Sequence, residues 1–318
     1  MKFANDTRAD QYDQRETARV ISRALPWIKA ITGKTVVIKY GGSAMVNEEL
    51  RSQVMSDIVL LKIMGVNPVI IHGGGTAIST VMDRFGLPVE FRNGLRVTSE
   101  EAMDVVKMVL VGQVNQELVR AMNSHGNLAV GVSGSDAGTV VAEQSDPALG
   151  RVGTVTRINA DYINALVDDG YIPVIASVAL GDDGGYFNVN ADLVAGAIAG
   201  AIGAQKVIFL TDVDGVYLDF SDKSTLISNM TLEEAKNLVE SGKLSSGMIP
   251  KITACTNALD QGVYRAHIVN GTQPHSILLE LLTDEGAGTL VYRTDSADNH
   301  EEHSLGSVAS KLVENLEE

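Results

Sequence analysis

The chain has 318 residues, of which 45% are hydrophobic, and it carries 31 glycines against 7 prolines. That length supports a substantial core in one large domain or two closely packed lobes, and the glycine content is typical of α/β proteins with many tight turns. The formal net charge of −15 argues against nucleic acid or an anionic membrane as the main partner. The lone Cys255 excludes an intramolecular disulfide framework. Residues 1–15 are polar and lack the apolar core of a signal peptide, so we expect a cytoplasmic protein.

The predicted elements begin with a helix over residues 16–31, kinked or broken at Pro26. From residue 35 a buried strand, a glycine turn and a helix recur along the chain. This alternation predicts an α/β protein with a mostly parallel sheet, covered by helices on both faces. The predicted strands are 36–40, 68–72, 128–132, 172–178, 206–210, 266–269 and 289–292. The predicted helices are 48–64, 76–85, 100–123, 161–169, 191–202, 232–241 and 249–261.

Two segments depart from this alternation. Short β-like runs over residues 139–159, interrupted by polar residues and glycines, predict an antiparallel flap. After Arg293 the chain is acidic with little hydrophobic pattern, so we expect a disordered or weakly helical tail. The resulting division is a helical extension (1–32), an N-terminal lobe (33–180), a C-terminal lobe (181–293) and the tail (294–318).

Two lysines lie beside glycine clusters, about two hundred residues apart. Lys39 ends a predicted strand just before Gly41 and Gly42, and Lys251 follows Gly247 at the start of a predicted helix. Ammonium groups beside exposed backbone amides suit a highly charged anion, which indicates phosphoryl transfer. The carboxyl edge of an α/β sheet is also where ligands bind. The Walker A pattern is absent, and the alternative is a strand-end lysine that reaches solvent.

A second glycine-rich turn, His72-Gly73-Gly74-Gly75, also follows a predicted strand and opens a helix. Glycines allow the backbone to approach a ligand closely, and the helix N-terminus adds partial positive charge. A packing turn is the alternative. The spacing does not fit the G-x-G-x-x-G fingerprint of dinucleotide-binding proteins.

Polar side chains mark the start of the helix predicted at 191–202. Helix capping accounts for one of Asn188, Asn190 and Asp192, but three exceed what capping needs. A carboxylate here could orient two active-site lysines by ion pairing. Arg96 suits a substrate carboxylate through two parallel hydrogen bonds, although a solvated surface arginine is the usual case.

The loop after the strand predicted at 206–210 could surround a nucleotide base or ribose, or chelate a cation. Its residues are Thr211, Asp212, Val213, Asp214 and Gly215. The spacing of an EF-hand is not met, so calcium is not predicted. Cys255, inside a predicted helix with no paired histidine in sight, is interpreted as a packing residue.

Together these motifs resemble those of the amino acid kinase family, over about residues 15–293. Within it they resemble the members that phosphorylate the side-chain carboxylate of N-acetyl-L-glutamate in arginine synthesis. The resemblance implies a three-layer αβα fold, with acetylglutamate bound by the N-terminal lobe and ATP by the C-terminal lobe. Mg²⁺ would arrive with the nucleotide, so that the protein itself has no metal site.

The resemblance also implies roles for individual residues. Lys39 and Lys251 would stabilise negative charge on the transferring phosphoryl group from opposite sides, and Asp192 would hold both lysines in place. The implied substrate-binding residues are Gly74, Gly75, Arg96, Asn188 and Asn190. The implied ATP-binding residues are Gly41, Gly42, Thr211, Asp212, Val213, Asp214, Gly215, Gly247 and Met248.

The early helix resembles the N-terminal extension of arginine-inhibited members of the family. This likeness implies a homo-oligomer, a hexamer built as a trimer of dimers, with arginine bound near His267, Glu280, Gly286 and Gly288. The chain departs from the family pattern at Thr272-Gln273, where an arginine and an apolar residue are expected, and at Thr76, where proline is expected.

Three alternatives stay open from sequence. The first is a sibling kinase acting on glutamate, aspartate, carbamate or uridylate, against which the motifs around Arg96 and Asn188 argue. The second is a non-catalytic arginine sensor or scaffold, against which the retention of Lys39, Asp192 and Lys251 argues. The third is a nucleotide-binding dehydrogenase, which the glycine spacing disfavours.

Overall fold

The computed structural model describes residues 14–42, 45, 47–92, 94–242, 244, 247–283 and 286–294. The prediction for the acidic tail therefore falls almost entirely outside the described residues, as does the start of the helical extension. In the described part of the chain, no helix combines the length and the apolar character needed to cross a bilayer.

The helices and strands follow one another largely as the alternation predicts. The helices are α1 (Gln14–Ile31), α2 (Glu48–Ile63), α3 (Gly75–Arg84), α4 (Glu100–Lys107), α5 (Gln116–Asn123), α6 (Ala160–Asp168), α7 (Ala191–Ala201), α8 (Leu232–Glu240), α9 (Ile249–Asp260) and α10 (Ser276–Leu282). A π-helix (Met108–Asn115) joins α4 to α5. The strands are β1 (Thr35–Tyr40), β2 (Asn67–His72), β3 (Phe91–Arg92), β4 (Leu95–Arg96), β5 (Ala129–Ser133), β6 (Val140–Gln144), β7 (Gly153–Ile158), β8 (Ile172–Ala176), β9 (Val178–Gly181), β10 (Tyr186–Asn188), β11 (Lys206–Thr211), β12 (Val216–Tyr217), β13 (Leu226–Ile227), β14 (Asn229–Thr231), β15 (Arg265–Asn270) and β16 (Gly288–Tyr292).

Side-chain caps begin several of the helices. Asn47 accepts a hydrogen bond from the backbone N–H of Leu50 at the start of α2, and Ser99 caps α4 in the same way. Thr231 and Glu234 form a reciprocal capping box at the start of α8. Such caps satisfy backbone donors that have no partner inside the helix, which fixes where each helix begins.

Eight strands form one large sheet in the order β14-β16-β15-β11-β1-β2-β8-β5. All neighbouring pairs are parallel except β15 with β16. β1 lies in the middle, with Lys39 opposite Phe209 of β11 and Ile71 of β2. Six strands, β15, β11, β1, β2, β8 and β5, run in one direction, so their carboxyl ends meet at a single edge of the sheet.

Helices cover both faces of this sheet. Along β1, Val36, Ile38 and Tyr40 belong to one hydrophobic cluster and Val37 to the other, since successive side chains of a strand point to opposite faces. The first cluster is completed by α2, α3, α4, α5, α10 and the π-helix, and the second by α6, α7, α8 and α9. The predicted three-layer αβα fold is confirmed.

A second sheet, in the order β10-β9-β6-β7, contains the predicted flap. β6 and β7 pair antiparallel, as the pattern over residues 139–159 predicts. The single strand predicted at 172–178 is wrong, because β8 ends at Ala176 and Val178 begins β9 of the second sheet. Ser177 marks the change: its N–H donates to the His72 carbonyl, and its own carbonyl accepts from Val189.

Helix α1 runs continuously through Pro26, so the predicted break there is wrong, while a kink stays a prediction. Proline removes the hydrogen bond that the Ser22 carbonyl would accept. Ser22 is exposed, so water can satisfy that carbonyl without interrupting the helix.

Several elements are not predicted from the sequence. The helical run over residues 100–123 was expected as one α-helix, but its middle is the π-helix. The short helix α10, the strand β14 and the hairpins β3–β4 and β12–β13 were also missed. Two- and three-residue strands carry too little periodicity to be recognised.

Candidate active site

Three charged side chains from three elements meet at the carboxyl edge of the large sheet. Lys39 lies near the end of β1, Asp192 in the first turn of α7 and Lys251 in the first turn of α9. The Nζ atom of Lys39 lies 3.0 Å from Oδ1 of Asp192. Lys251 donates a hydrogen bond from Nζ to Oδ2 of the same carboxylate, also at 3.0 Å. The structure thus brings the three predicted catalytic residues together.

Asp192 is ionised between the two lysines. Burial opposes its ionisation, but the charges of Lys39 and Lys251 outweigh that effect and hold the pKa of the carboxyl below its usual value. Two positive charges and one negative charge leave the cluster with a net charge of +1. A partly buried site with this excess charge suits an anion.

The other polar residues at the start of α7 are occupied within the protein. The Asn190 side chain accepts hydrogen bonds from the N–H groups of Asp192 and Leu193, so it caps the helix. Asn188 donates from Nδ2 to Oγ1 of Thr98 at 3.2 Å. Capping therefore accounts for Asn190, and the carboxylate of Asp192 is left to hold the lysines.

A cavity of about 230 Å³ opens in front of this cluster. Arg96 and the glycines of both predicted turns contribute to its wall, as does Asn188. The predicted site residues that line it are Lys39, Gly41, Gly42, Gly74, Gly75, Arg96, Asn188, Asn190 and Asp192. Lys251 does not line this cavity; it reaches the site through Asp192.

Arg96 is fixed within the wall of the cavity. Its Nη2 donates to the Gly75 carbonyl and to Oγ of Ser79, both at 2.7 Å, and its guanidinium lies 4.6 Å from the centre of the Phe91 ring. Burial lowers the pKa of this arginine, while the charge of Asp83 opposes that effect. Because only 6% of its surface is exposed, the alternative of a solvated surface arginine is excluded.

Close packing explains two of the glycines. Gly42 has φ of +79°, and a Cβ there would collide with the Asp212 carboxylate. A Cβ on Gly74 would lie 2.7 Å from Cδ2 of Leu110 in the π-helix. Both turns therefore bring backbone into contact with neighbouring elements, where other residues fit only if their neighbours move.

The predicted nucleotide residues are divided between two places. Gly41 and Gly42 line the cavity, and the Asp212 carboxylate lies close behind Gly42, where a Cβ would collide with it. Asp214 is tied to the end of β15, where it accepts a hydrogen bond from Asn270 that holds the pKa of its carboxyl below the usual value. The members that do not line the cavity are Thr211, Asp212, Val213, Asp214, Gly215, Gly247 and Met248. Their binding of ATP stays a prediction.

The residues predicted to bind arginine converge away from this cavity. Nδ1 of the buried His267 lies 2.5 Å from Oε1 of Glu280, and Oε2 of Glu280 accepts from the backbone N–H of Ala287. Burial lowers the pKa of His267. Burial also opposes ionisation of Glu280, but its hydrogen bond and charge interaction with His267, together with backbone hydrogen bonds from Ala287 and Gly288, hold its pKa below the usual value. Gly286, with φ of +66°, passes close to the same carboxylate, and Gly288 begins β16.

Cys255 lies inside α9 and is completely buried. Burial, reinforced by the negative charge of Asp192, raises the pKa of its thiol. A buried thiol that resists ionisation is unreactive, so Cys255 acts as a packing residue, as the sequence predicts.

Sequence reasoning missed Phe91 and Asn115, which shape the site, and it missed the contacts of His72. Phe91 stacks on Arg96, and Asn115 contacts the His72 that precedes the glycine turn. Phe91 could not be identified from the sequence, because the strands of the β3–β4 hairpin are too short to show a strand pattern. His72 lay within a recognised motif, but nothing in the motif indicates which atoms its ring contacts.

A mostly parallel sheet between two helical layers, with a lysine–aspartate–lysine cluster at its carboxyl edge, is suited to stabilising the charge of a transferring phosphoryl group. The family model described as the amino acid kinase family matches residues 34–270, and the chain belongs to this family. The resemblance predicted from its motifs is therefore confirmed.

Within that family the chain is similar to acetylglutamate kinases. The acetylglutamate kinase of Caldanaerobacter subterraneus subsp. tengcongensis is 51% identical, over 88% of this chain and 94% of that protein. That of Nostoc sp. is 46% identical, over 91% of this chain and 98% of that protein. Among solved structures, N-acetylglutamate synthase from Neisseria gonorrhoeae, complexed with coenzyme A and N-acetyl-glutamate, shares the fold. Its TM-score is 0.77 at 23% identity, over 89% of this chain and 67% of that one.

Proposed function

We propose that this protein transfers the γ-phosphoryl group of ATP to the side-chain carboxylate of N-acetyl-L-glutamate, as a step in arginine synthesis. The observation that carries the proposal is the Lys39–Asp192–Lys251 cluster at the mouth of a cavity that also contains Arg96. The similarity to acetylglutamate kinases over about nine-tenths of the chain supports the choice of substrate.

The reaction requires stabilisation of negative charge, and it does not require a general base. A carboxylate is ionised at neutral pH, so its oxygen can attack the γ-phosphorus directly. The bond from that phosphorus to the β–γ bridging oxygen breaks, and its electron pair leaves with ADP. Repulsion between anions is the main obstacle, and fixed ammonium groups and backbone amides reduce it without having to reorganise. Lys39 and Lys251, held by one carboxylate, meet this requirement.

Arg96 and Asn188 would bind the carboxylate that does not react. Arg96 is already held by Gly75 and Ser79, so its guanidinium is oriented before substrate binds. Such an orientation reduces the entropy lost on binding. Gly74 and Gly75 line the same cavity as Arg96 and Lys39, and they would present their amides to the reacting groups.

Mg²⁺ would be held by the nucleotide phosphates. Among the described residues, no group of three or more His, Cys, Asp or Glu side chains is placed to hold a metal ion. Asp192 is engaged by both lysines. In kinases, substrate phosphates supply much of the coordination of Mg²⁺. Bound in this way, the ion would neutralise part of the charge on the phosphates.

The test of the proposal is ADP release from ATP and Mg²⁺ with N-acetyl-L-glutamate as acceptor, compared with glutamate, aspartate, carbamate and UMP. Turnover with acetylglutamate alone is the expected result. Preference for another acceptor would move the protein to a sibling kinase, and no turnover with any acceptor would favour a sensor or scaffold.

Replacement of either lysine tests the cluster itself. Lys39→Met and Lys251→Met should each reduce kcat by orders of magnitude while the protein stays folded. Lys34→Met is the matched control, because Lys34 is exposed just before β1. Near-normal turnover in both active-site variants would overturn the assignment.

We further propose arginine as a feedback inhibitor and a hexamer as the assembly. The buried His267–Glu280 pair joins β15 to α10, and α1 packs against α10, so the predicted arginine segment adjoins the N-terminal helix. Val20, Ile21 and Leu25 of α1 are mostly exposed, which is consistent with a helix that packs against another subunit.

The domain division and the compartment are part of the same proposal. Residues 33–180 would bind acetylglutamate and residues 181–293 would bind ATP, with the large sheet passing through both. We propose a cytoplasmic location, which agrees with the biosynthetic role of the similar acetylglutamate kinases.

A further inference from the structure

His72 lies directly before the glycine turn, yet the proposed mechanism gives it no role. It is the last residue of β2 and is completely buried. Its side chain contacts Asn115, the last residue of the π-helix, which is also buried. Two buried polar groups in contact directly behind a substrate-binding turn call for an explanation beyond packing.

The orientation of the Asn115 amide follows from its contacts. Its Nδ2 donates to the Val174 carbonyl in β8 at 2.7 Å and lies 3.0 Å from Nε2 of His72. A carbonyl can only accept, so the amide nitrogen must face Val174. The reverse orientation would place two acceptors against each other. The oxygen of Asn115 has no hydrogen-bond partner among the described residues, so an amide nitrogen placed there would gain no hydrogen bond from the reversal.

The amide in turn fixes the tautomer of His72. Because Nδ2 of Asn115 is a donor, Nε2 of the ring must be the acceptor. The ring proton therefore resides on Nδ1, which donates to the Gly73 carbonyl at 3.0 Å. Burial lowers the pKa of His72 to about 4, which keeps the ring neutral and preserves this pattern at physiological pH.

The hydrogen bond to Gly73 determines where the next amide points. The Gly73 carbonyl and the Gly74 N–H belong to one planar trans peptide, in which the two groups point in opposite directions. A carbonyl held toward the buried His72 ring directs the Gly74 N–H away from the core. Gly73, Gly74 and Gly75 all line the cavity, so that direction is toward the cavity in which the proposed substrates would bind.

The neighbouring elements make room for this arrangement. A side chain at Gly131 of β5 would collide with Oδ1 of Asn115, so the amide fits only above a glycine. The π-helix that ends at Asn115 also places Leu110 and Val114 against Gly74. Such widened turns often occur at functional sites, because they re-aim single side chains.

We propose that His72 and Asn115 are positioning residues that aim the Gly74 amide at the transferring phosphoryl group. They form a relay from the Val174 carbonyl, through the amide and the imidazole, to the peptide that joins Gly73 and Gly74. This inference rests on the proposed phosphoryl-transfer site. Because the relay acts on the transition state more than on substrate binding, its loss should lower kcat and leave KM for the acceptor nearly unchanged.

Two amide substitutions of His72 separate positioning from packing. In His72→Asn the side-chain N–H can occupy the position of Nδ1 and still hold the Gly73 carbonyl. In His72→Gln, which is nearer to histidine in size, the amide extends to the position of Nε2 and leaves that carbonyl without its donor. We expect His72→Gln to lose about 10- to 100-fold in kcat, a part of what loss of a whole oxyanion donor costs. His72→Asn should stay within a few-fold of wild type.

Wild-type turnover is measured first, and kcat and the melting temperature are then measured for each variant. If the wild type is active and kcat follows the melting temperature rather than the presence of the Nδ1-like donor, the positioning role is overturned while the kinase assignment stands. Asn115→Leu, which removes the amide at similar volume, provides a second route if His72→Gln does not fold. It should also lose at least 10-fold in kcat with little change in KM, and wild-type kcat in this variant would overturn the inference. An inactive wild type would instead refute the proposed function.

Discussion

Asp192→Asn should inactivate the protein more than it unfolds it. The substitution keeps the shape of the side chain but removes one negative charge between Lys39 and Lys251, so the net charge of the cluster rises from +1 to +2. Each ion pair spans 3.0 Å. A pair at about 4 Å is worth roughly 4 kcal/mol at an effective dielectric constant of 20, before the cost of desolvation. Removing one partner of a buried pair typically costs about 3–5 kcal/mol.

The lower end of that range applies here. The side chains of Lys39 and Lys251 are 10% and 18% exposed, so both ammonium groups can move toward water when the carboxylate is lost. We therefore expect the free energy of unfolding to fall by about 3 kcal/mol. Displacing two fixed charges from the reacting group should reduce kcat by about 10²- to 10³-fold, since that is the effect of losing one preorganised donor.

Urea unfolding and steady-state ADP release measure the two effects separately. Asp260→Asn is the matched control, because Asp260 lies on the same helix as Lys251 and pairs with Lys236 at the surface at 2.8 Å. This control should change stability by less than about 1 kcal/mol and leave kcat unchanged. A folded Asp192→Asn protein with wild-type kcat would show that the carboxylate does not set the lysine positions.

Three further predictions concern packing, pH and regulation. Gly196→Ala should lower both kcat and the melting temperature, because the new Cβ would lie 2.7 Å from the Ala254 carbonyl and push α7 away from α9. Unchanged kcat and melting temperature would show that α7 and α9 can move apart without cost. The pKa of His72, about 4, lies below the ordinary 6.5, so the unfolded chain takes up its proton first as the pH falls. The wild type should therefore lose about 2 kcal/mol of unfolding free energy through His72 between pH 7 and 5, a loss that His72→Asn lacks in urea titrations; equal pH slopes would contradict this. Deleting residues 1–30 should abolish arginine inhibition but leave turnover, and inhibition that survives the deletion would count against the arginine proposal.

Much of the site could be predicted because its parts are local. Lys39 is recognisable from a buried strand that runs into glycines, and Asp192 from an excess of polar residues over what a helix cap needs. Their meeting follows from a general property of parallel sheets, whose strands all end at one edge. Lys251 joins them because its helix begins beside the same edge.

The rest depends on contacts between distant segments. The relay from Val174 to Gly73 passes through Asn115, and no local pattern links these positions. The end of β8 at Ala176 is set by hydrogen bonds of Ser177 to β2 and to Val189, although the apolar run continues past it. The π-helix likewise arises within a sequence that is regular for an α-helix.

Because Cys255 is buried, the native protein has no thiol that reacts readily with labelling reagents. It is the only cysteine in the sequence, and the protein interior shields it from alkylating reagents. A cysteine introduced at an exposed position, such as Ser221 in the loop after β12, would therefore be the single site that a maleimide dye modifies. A fluorescent or spin label at that position could then report changes in its surroundings during turnover, with Cys255 left in its place inside α9.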